Sequence, residues 1–326
     1  MTAPATSKRR RRAINLMLLL VFLLGAGILF YPTLSNAWNR YRSRQLITEY
    51  ETVVSALPDD ESAEILAAAR AYNEQHATNV IVDAFNEETE DYVLTHPYDT
   101  LLNPMGNMIM GYLQIPKIDV RLAIYHGVGA KALREGAGHV EGTSLPVGGE
   151  RTHAVLSAHR GLPSAKLFTD LDQLKVGDTF YLHILDEVLA YEVDQILTVQ
   201  PDETEALALE DGKDLVTLVT CTPYGVNSHR LLVRGHRVAY KPEHEEAAAA
   251  EGSGETGIEE KLLIIGLCSV AAIVLVMWLV FGRRKREESR EEPGRHARGG
   301  VHARREGHAE REARDERATY GKHARR

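Results

Sequence analysis

Cysteine is scarce in this sequence: Cys221 and Cys268 are the only two among 326 residues. Two thiols cannot build a network of disulfides or an all-cysteine zinc site, so both kinds of scaffold are excluded. Wholesale disorder is excluded as well, because 44% of the residues are hydrophobic and 26% are charged. The length allows one or two domains, each with its own core.

The formal net charge of −8 conceals a separation of charge along the chain. Residues 1–12 contain five basic residues and no acid, residues 282–326 contain fifteen basic and nine acidic residues, and the middle carries a net −19. A basic tail beside an acidic body can indicate nucleic-acid binding. Here the cations directly flank apolar segments, so we interpret them as membrane-topology signals and expect no nucleic-acid partner.

Two uncharged apolar runs, Ala13 to Phe30 and Leu262 to Phe281, predict two transmembrane helices. Twenty helical residues span about 30 Å, the thickness of the hydrocarbon core. The positive-inside rule places both termini in the cytoplasm, which makes the chain a two-pass cell-membrane protein in contact with lipid, with its acidic middle outside. Cleavage of a signal peptide near Ser35-Asn36-Ala37 remains an alternative for the first run.

Between the two apolar runs, the spacing of hydrophobic residues changes twice along the chain. Residues 37–77 have helical spacing, and Asp59 or Asp60 can cap a helix from Glu61 to Gln75. The predicted segments are a basic cytoplasmic segment 1–12, a transmembrane helix 13–30, an extracellular helical region 31–78, a long loop 79–107, a β-rich domain 108–241, a linker 242–261, a transmembrane helix 262–281 and a cytoplasmic basic low-complexity tail 282–326.

The β-rich domain contains seven short apolar runs separated by turn residues, which is typical of an antiparallel sheet closed into a barrel or sandwich. One helix is predicted inside it, from Pro163 to Leu174. Pro163 suits a first helical turn, and the apolar residues that follow mark one face. The predicted fold class is therefore mainly β, a barrel with short helices and a helical N-terminal region.

Cys221 ends a predicted strand beside a Thr-Pro-Tyr-Gly turn, where space opens around the thiol. A single cysteine is often only a small buried hydrophobe, whereas a nucleophile needs a proton acceptor and a donor for an oxyanion. Arg230 follows nine residues later, on the return strand, and lies beside Cys221 if the two strands pair. A guanidinium offers several donors, although an arginine here can also be an ordinary surface residue.

Most histidines of a barrel are structural, and this domain has several. His159 differs because it leaves the predicted strand Val155 to Ala158 into the loop Arg160-Gly161-Leu162-Pro163, which can present its ring at the barrel rim. The candidates are His126, His139, His153, His159, His183, His229 and His236.

Three motifs resemble those of sortases. Residues 217–230, TLVTCTPYGVNSHR, resemble the TLxTC signature, and they are joined by LSAHRG at 156–161 and GTSLPVGGE at 142–150. The resemblance covers about residues 72–240. Among the sortases, this region is most similar to class C, the pilin-polymerising sortases. The predicted second transmembrane helix also agrees with class C. The resemblance implies an eight-stranded β-barrel with the catalytic residues Cys221, His159 and Arg230.

Class C sortases also have a lid loop before the barrel, with an aspartate and an aromatic residue two positions later. The best match in residues 79–107 is Asp83-Ala84-Phe85, although Ala84 replaces the usual proline, and His96-Pro97-Tyr98 is the second choice. The resemblance implies that the carboxylate pairs with the active-site arginine while the aromatic ring covers the thiol.

The implied activity is that of a cysteine transpeptidase of the hydrolase-type peptidase class. Cys221 cleaves an LPxTG-like sorting signal between Thr and Gly, and the thioester is transferred to a lysine amine of another pilin subunit. The expected partners are pilin subunits, and neither a metal nor another cofactor is needed. The alternatives are a housekeeping sortase that uses a cell-wall precursor, a membrane-tethered cysteine protease and a non-catalytic adhesion module.

Overall fold

This computed structural model describes residues 6–76, 85, 95–248, 264–266 and 268–275. The chain divides into two compact units, residues 1–263 and residues 264–326. The first unit holds the N-terminal helices and the β-rich domain. In the second, Ile264–Leu275 is a short apolar helix that belongs to the predicted second transmembrane segment.

The β-rich domain is a closed eight-stranded barrel, with strands in the order β1-β2-β3-β4-β7-β8-β6-β5. This confirms the mainly β fold class and the eight strands implied by the resemblance. The strands are β1 (Ile109–Ile115), β2 (Val120–His126), β3 (Ala137–His139), β4 (Thr152–Ser157), β5 (Thr179–Ile184), β6 (Glu187–Val199), β7 (Asp214–Thr222) and β8 (His229–Val238).

The barrel differs from the predicted antiparallel sheet at two strand pairs. β2 pairs with β3 in parallel, and β4 pairs with β7 in parallel. The apolar runs did not indicate β3, which is only three residues long and too short for an alternating pattern. The helix before it, α3 (Ala130–Glu135), was missed for the same reason. Parallel pairing of β4 and β7 places the carboxyl ends of both strands at the same end of the barrel.

The helix predicted from Pro163 to Leu174 is wrong. The structure has only a short 3-10 helix, Leu171–Gln173, in this segment. Leu167 has a φ of 43°, in the left-handed region, which a right-handed helix cannot contain. The spacing nevertheless identified buried side chains correctly, because the four apolar residues it singled out lie in the barrel core. They are Leu167, Phe168, Leu171 and Leu174.

The N-terminal region consists of two helices, α1 (Thr6–Ala56) and α2 (Asp59–His76). The predicted transmembrane helix 13–30 and the first part of the predicted extracellular helical region form one continuous helix, α1. The break comes at Leu57-Pro58, and α2 then starts with three acidic residues that complement the helix dipole. The most apolar 18 residues of α1 have a mean hydropathy of 2.6 and are unburied, so this helix suggests a membrane anchor or a signal sequence.

The C-terminal half of α1 docks onto the barrel through polar contacts. Ser43 Oγ donates to Arg121 O at 3.0 Å, and the buried Tyr50 hydroxyl donates to Met110 O at 2.9 Å. The same hydroxyl accepts from Leu185 N at 2.8 Å. In α2, Asn73 forms two hydrogen bonds with the backbone of Leu145, at 2.7 and 3.0 Å. The two helices are therefore part of the same folded unit as the barrel.

Two further predicted segments are only partly described. In the predicted loop 79–107, the described part includes Phe85 and a 3-10 helix, Tyr98–Thr100. In the predicted linker 242–261, residues 242–248 are helical. Glu245 in that stretch binds His183 Nε2 at 3.1 Å, so this part of the linker packs on the barrel. Asp83 and residues 249–261 lie outside the described residues.

Candidate active site

Cys221 and Arg230 are direct partners in the antiparallel pairing of β7 and β8. Both are buried, with exposed fractions of 7% and 8%. Arg230 Nη1 donates to the carbonyl oxygens of Asn227 and His229, both at 3.2 Å, so the turn between the strands holds the guanidinium in place. The expectation that strand pairing brings Arg230 beside Cys221 is correct.

His159 reaches the other side of Cys221 because β4 lies next to β7. The register pairs Ser157 with Val219, and its continuation by two residues aligns His159 with Cys221. Two hydrogen bonds continue the pairing beyond the end of β4: Ala158 N donates to Val219 O at 3.2 Å, and Thr220 Oγ1 donates to Ala158 O at 2.8 Å. Strand order therefore places Cys221 between His159 and Arg230.

The environment of His159 favours the neutral imidazole. Burial lowers the pKa of His159, and the positive charge of Arg134 lowers it further. Arg134 lies on α3, the helix that the sequence pattern did not predict, so nothing in the sequence indicated this influence. A neutral ring can accept a proton from a thiol, which a protonated ring cannot do.

Phe85 contacts both residues that flank the cysteine. Its ring centroid is 5.5 Å from the His159 ring, and Arg230 Cζ lies 5.2 Å from the centroid of the same ring. The latter distance allows a cation–π contact. Tyr98, from the second-choice lid motif, is instead fully buried, with its hydroxyl 2.8 Å from His139 Nδ1. This geometry favours the Asp83-Ala84-Phe85 placement of the lid, although Asp83 itself is not described.

An apolar cluster lies on the outer face of the barrel, beside the strand that carries Cys221. Side chains alternate along a strand, so Leu218 faces the barrel interior, whereas Val219 and Cys221 face outward. Phe85 packs against this outer cluster. Its buried members are Val128, Leu133, Val140, Val155, Leu207, Val219 and Leu232.

Arg160 links the loop after His159 to the end of β7. Its Nη1 donates to Thr222 Oγ1 at 3.1 Å, its Nε donates to Thr169 O at 3.2 Å, and it forms an ion pair with Asp172. The LSAHRG motif does not by itself indicate these contacts of Arg160. These contacts hold the backbones of His159 and Cys221 relative to each other.

The other buried histidines have structural partners, as expected for a barrel. His153 binds Ala208 O at 2.9 Å and Thr217 Oγ1 at 2.7 Å. His139 is completely buried between Tyr98 and Ser144 O, and burial lowers its pKa to about 4. Cys268 lies on the apolar helix Ile264–Leu275 of the second unit.

Comparisons with known proteins agree with this arrangement. A family model described as the sortase domain matches residues 113–238. The crystal structure of Streptococcus pneumoniae Sortase C is 46% identical, covers 60% of this chain and 97% of its own, and has a TM-score of 0.56. A pilus-related Sortase C of Group B Streptococcus is 42% identical, with coverages of 60% and 97% and a TM-score of 0.55. Sortase A of Streptococcus agalactiae is 34% identical over 117 residues, which are 35% of this chain and 47% of that protein.

The closed barrel, the buried cysteine at the end of β7 and these similarities define a cysteine transpeptidase of the sortase type. The chain belongs to the sortase family, and its similarity to Sortase C structures over nearly their whole length places it in class C.

Proposed function

We propose that this protein joins pilin subunits by transpeptidation, with Cys221 as the nucleophile. The observation that carries the proposal is the position of Cys221 on β7, between His159 beyond β4 and Arg230 on β8. The thiol, a proton acceptor and a charged donor then meet at one end of the barrel, which is the set that acyl transfer requires.

In the first half of the reaction, His159 takes the thiol proton and the Cys221 sulfur attacks the Thr carbonyl of an LPxTG-like sorting signal. A carbon–sulfur bond forms and the Thr–Gly carbon–nitrogen bond breaks. The protonated His159 gives its proton to the departing glycine amine, which leaves a thioester on the enzyme. The lowered pKa of His159 suits both steps, because the ring starts neutral and releases its proton readily.

In the second half, a lysine amine of another pilin subunit attacks the thioester. His159 takes a proton from this amine, the new carbon–nitrogen bond is an isopeptide bond, and the Cys221 sulfur leaves. Arg230 donates to the carbonyl oxygen that becomes negatively charged in both halves. A guanidinium suits this role because it remains charged and offers a planar fork of donors.

The substrate class rests on the similarity to solved Sortase C structures. Pilin substrates and pili are named for the Sortase C relatives of Streptococcus pneumoniae and Group B Streptococcus. Phe85, which contacts both His159 and Arg230, acts as the ring of a lid that limits access of water to the thiol, with Asp83 as its carboxylate.

We also propose that the enzyme is a two-pass membrane protein with both termini in the cytoplasm. The support is the charge pattern: basic residues precede the apolar part of α1, and four basic residues follow the apolar run that ends at Phe281. The barrel then works on the outer side of the membrane, where secreted pilin subunits arrive.

The decisive experiment incubates the purified full-length protein, in lipid nanodiscs, with candidate pilins and cell-wall precursor, and maps the products by mass spectrometry. A bond between a sorting-signal Thr and a pilin lysine is the expected product, and Cys221→Ala is the control that should give none. A product joined to cell-wall precursor would identify a housekeeping sortase, and a hydrolysed signal alone would identify a protease. Either outcome contradicts pilin polymerisation.

A further inference from the structure

The order of contacts along α1 determines which end of the barrel lies nearest to its apolar segment. Ser35 Oγ donates to Ser164 O at 3.1 Å, and Asn36 Oδ1 accepts from Lys166 N at 3.0 Å. Tyr50 contacts the opposite end of the barrel, and at 1.5 Å per residue it lies about 20 Å farther along the helix than Asn36. The loop that contains Ser164 and Lys166 follows His159, so the end with the proposed catalytic residues is nearest to the apolar segment.

A cavity of about 690 Å³ separates this end of the barrel from α1. Phe30 and Pro32 line one side, where the apolar run of α1 ends, and Pro163 and Tyr224 line the other. Tyr224 belongs to the β7–β8 loop (residues 223–228). The β7–β8 loop is therefore at the level where α1 would emerge from a bilayer.

The β7–β8 loop has a composition suited to the membrane interface. Tyr224 is 60% exposed and Val226 is 69% exposed, although both are large and apolar. The loop contains no charged residue. Tyrosine is enriched where membrane and water meet, because its ring is apolar and its hydroxyl is polar. Trp38 and Tyr41, on the neighbouring part of α1, are also exposed.

The loop that follows His159 packs against the Tyr224 ring at Gly161. A Cβ atom at Gly161, which has a φ of +80°, would lie only 2.8 Å from this ring. Gly161 therefore lets the ring rest against the loop that follows His159, while 60% of the tyrosine stays exposed. This packing explains how an exposed aromatic side chain is held at a fixed position.

We infer that the β7–β8 loop is a second membrane contact, in which Tyr224 and Val226 enter the lipid interface and turn the active-site end of the barrel toward the bilayer. The inference rests on the proposed anchoring of α1 in the membrane. Cys221 is three residues before Tyr224, so their Cα atoms are at most about 11 Å apart. The thiol is then held close to the outer membrane surface, where it can reach substrates that are themselves anchored in the membrane.

The test uses the full-length protein in nanodiscs whose lipids carry a nitroxide quencher near the top of the acyl chain. The native tryptophans are removed by Trp38→Phe and Trp278→Phe, and single tryptophans are then introduced one at a time. Tyr224→Trp is the test position. Leu24→Trp, in the apolar part of α1, reports membrane insertion, and Met108→Trp, an exposed apolar site at the other end of the barrel, is the matched control.

The expected result is a loss of emission and a blue shift for Tyr224→Trp that the Met108→Trp control does not show. If Leu24→Trp is quenched while Tyr224→Trp behaves like Met108→Trp, the inference is overturned and the membrane anchor stands. If Leu24→Trp is not quenched, the anchor fails and the inference fails with it. Val226→Trp replaces the test variant if circular dichroism shows that Tyr224→Trp does not fold.

Discussion

Cys221 and Arg230 lie directly opposite each other on β7 and β8, although a six-residue loop separates the ends of their strands. A hairpin of this kind brings together residues that are close in sequence, so their proximity costs little loop-closure entropy. The thiol and the guanidinium are therefore placed by local structure, and the distant His159 is brought in by the parallel pairing of β4 with β7.

Replacing Cys221 with alanine is expected to abolish transfer while preserving the fold. The variant lacks the nucleophilic sulfur, and the loss of this single atom leaves only a small void. Cleavage of a sorting peptide should fall by about 10³-fold or more, as for other nucleophile deletions. Chromatographic assays measure cleavage, and thermal unfolding checks the fold. Cys268→Ala is the matched control, and equal activity of the Cys221→Ala variant and the wild type would refute the assignment.

Arg230→Lys tests whether the guanidinium itself is needed. An ammonium keeps the charge but cannot reproduce a planar fork, so we expect kcat to fall by about 10²-fold, the cost of one lost oxyanion donor. Arg234→Lys is the matched control, because it makes the same replacement four residues farther along β8. Arg234 forms ion pairs with Asp194 and Glu210. This control should retain activity. Similar kinetics for both variants would remove Arg230 from the mechanism.

The lid prediction concerns access to the thiol. Phe85→Ala removes the ring that contacts His159 and Arg230, and we expect faster alkylation of Cys221 and faster hydrolysis of short sorting peptides. A lost contact of about 1 kcal/mol corresponds to about a five-fold increase. Adding Asp83→Ala should increase the rate further if the carboxylate pairs with the arginine.

Tyr98→Phe is the control for the lid, because it keeps the buried ring of the second-choice motif and removes only the hydroxyl bonded to His139. Alkylation should be unchanged in this variant. Faster alkylation in Phe85→Ala but not in Tyr98→Phe supports the lid at residues 83–85. Equal alkylation rates in Phe85→Ala and the wild type would mean that Phe85 is not part of a functional lid.

Stability is expected to decrease as the pH falls from about 7 to about 4. His139 is buried and its pKa is lowered to about 4, so it stays neutral in the folded protein while the unfolded chain binds a proton near the ordinary value of 6.5. Protonation therefore favours the unfolded state by about 1.4 kcal/mol per pH unit in this range, or roughly 2 kcal/mol at pH 5. Burial lowers the pKa values of His126 and His153 in the same direction.

The measurement compares melting temperatures of the full-length wild type and His139→Gln in detergent at pH 7, 6 and 5. Glutamine has no proton to gain in this range, so the variant should lose less stability on acidification, whatever its stability at pH 7. Identical pH dependence of the two proteins would contradict the role of His139.

The two-pass topology predicts the fate of tags at each terminus. Protease added to intact cells or protoplasts should remove the barrel and spare an epitope tag at either end, since both ends are cytoplasmic. Lysed cells are the control in which both tags disappear. Loss of only the C-terminal tag from intact cells would show that the second apolar segment does not return the chain to the cytoplasm.

Features that depend on local pattern could be predicted from the amino-acid sequence alone. Apolar runs separated by turns predicted seven of the eight strands, and the short distance in sequence from Cys221 to Arg230 predicted their pairing. The motif around His159 identified this histidine by resemblance. The basic residues beside the apolar part of α1 indicate a membrane segment independently of the fold.

Features that depend on contacts between distant segments could not be predicted from local pattern and became visible in the folded structure. The apolar residues from Pro163 to Leu174 have helical spacing, yet their side chains pack into the barrel core although the segment forms only a short 3-10 helix. Leu167 in this segment adopts a left-handed backbone conformation. β3 is too short for a pattern and exists through pairing with β2 and β4. The contact of Phe85 with His159 and Arg230, and the influence of Arg134 on the His159 ring, likewise arise from long-range packing that no local sequence pattern encodes.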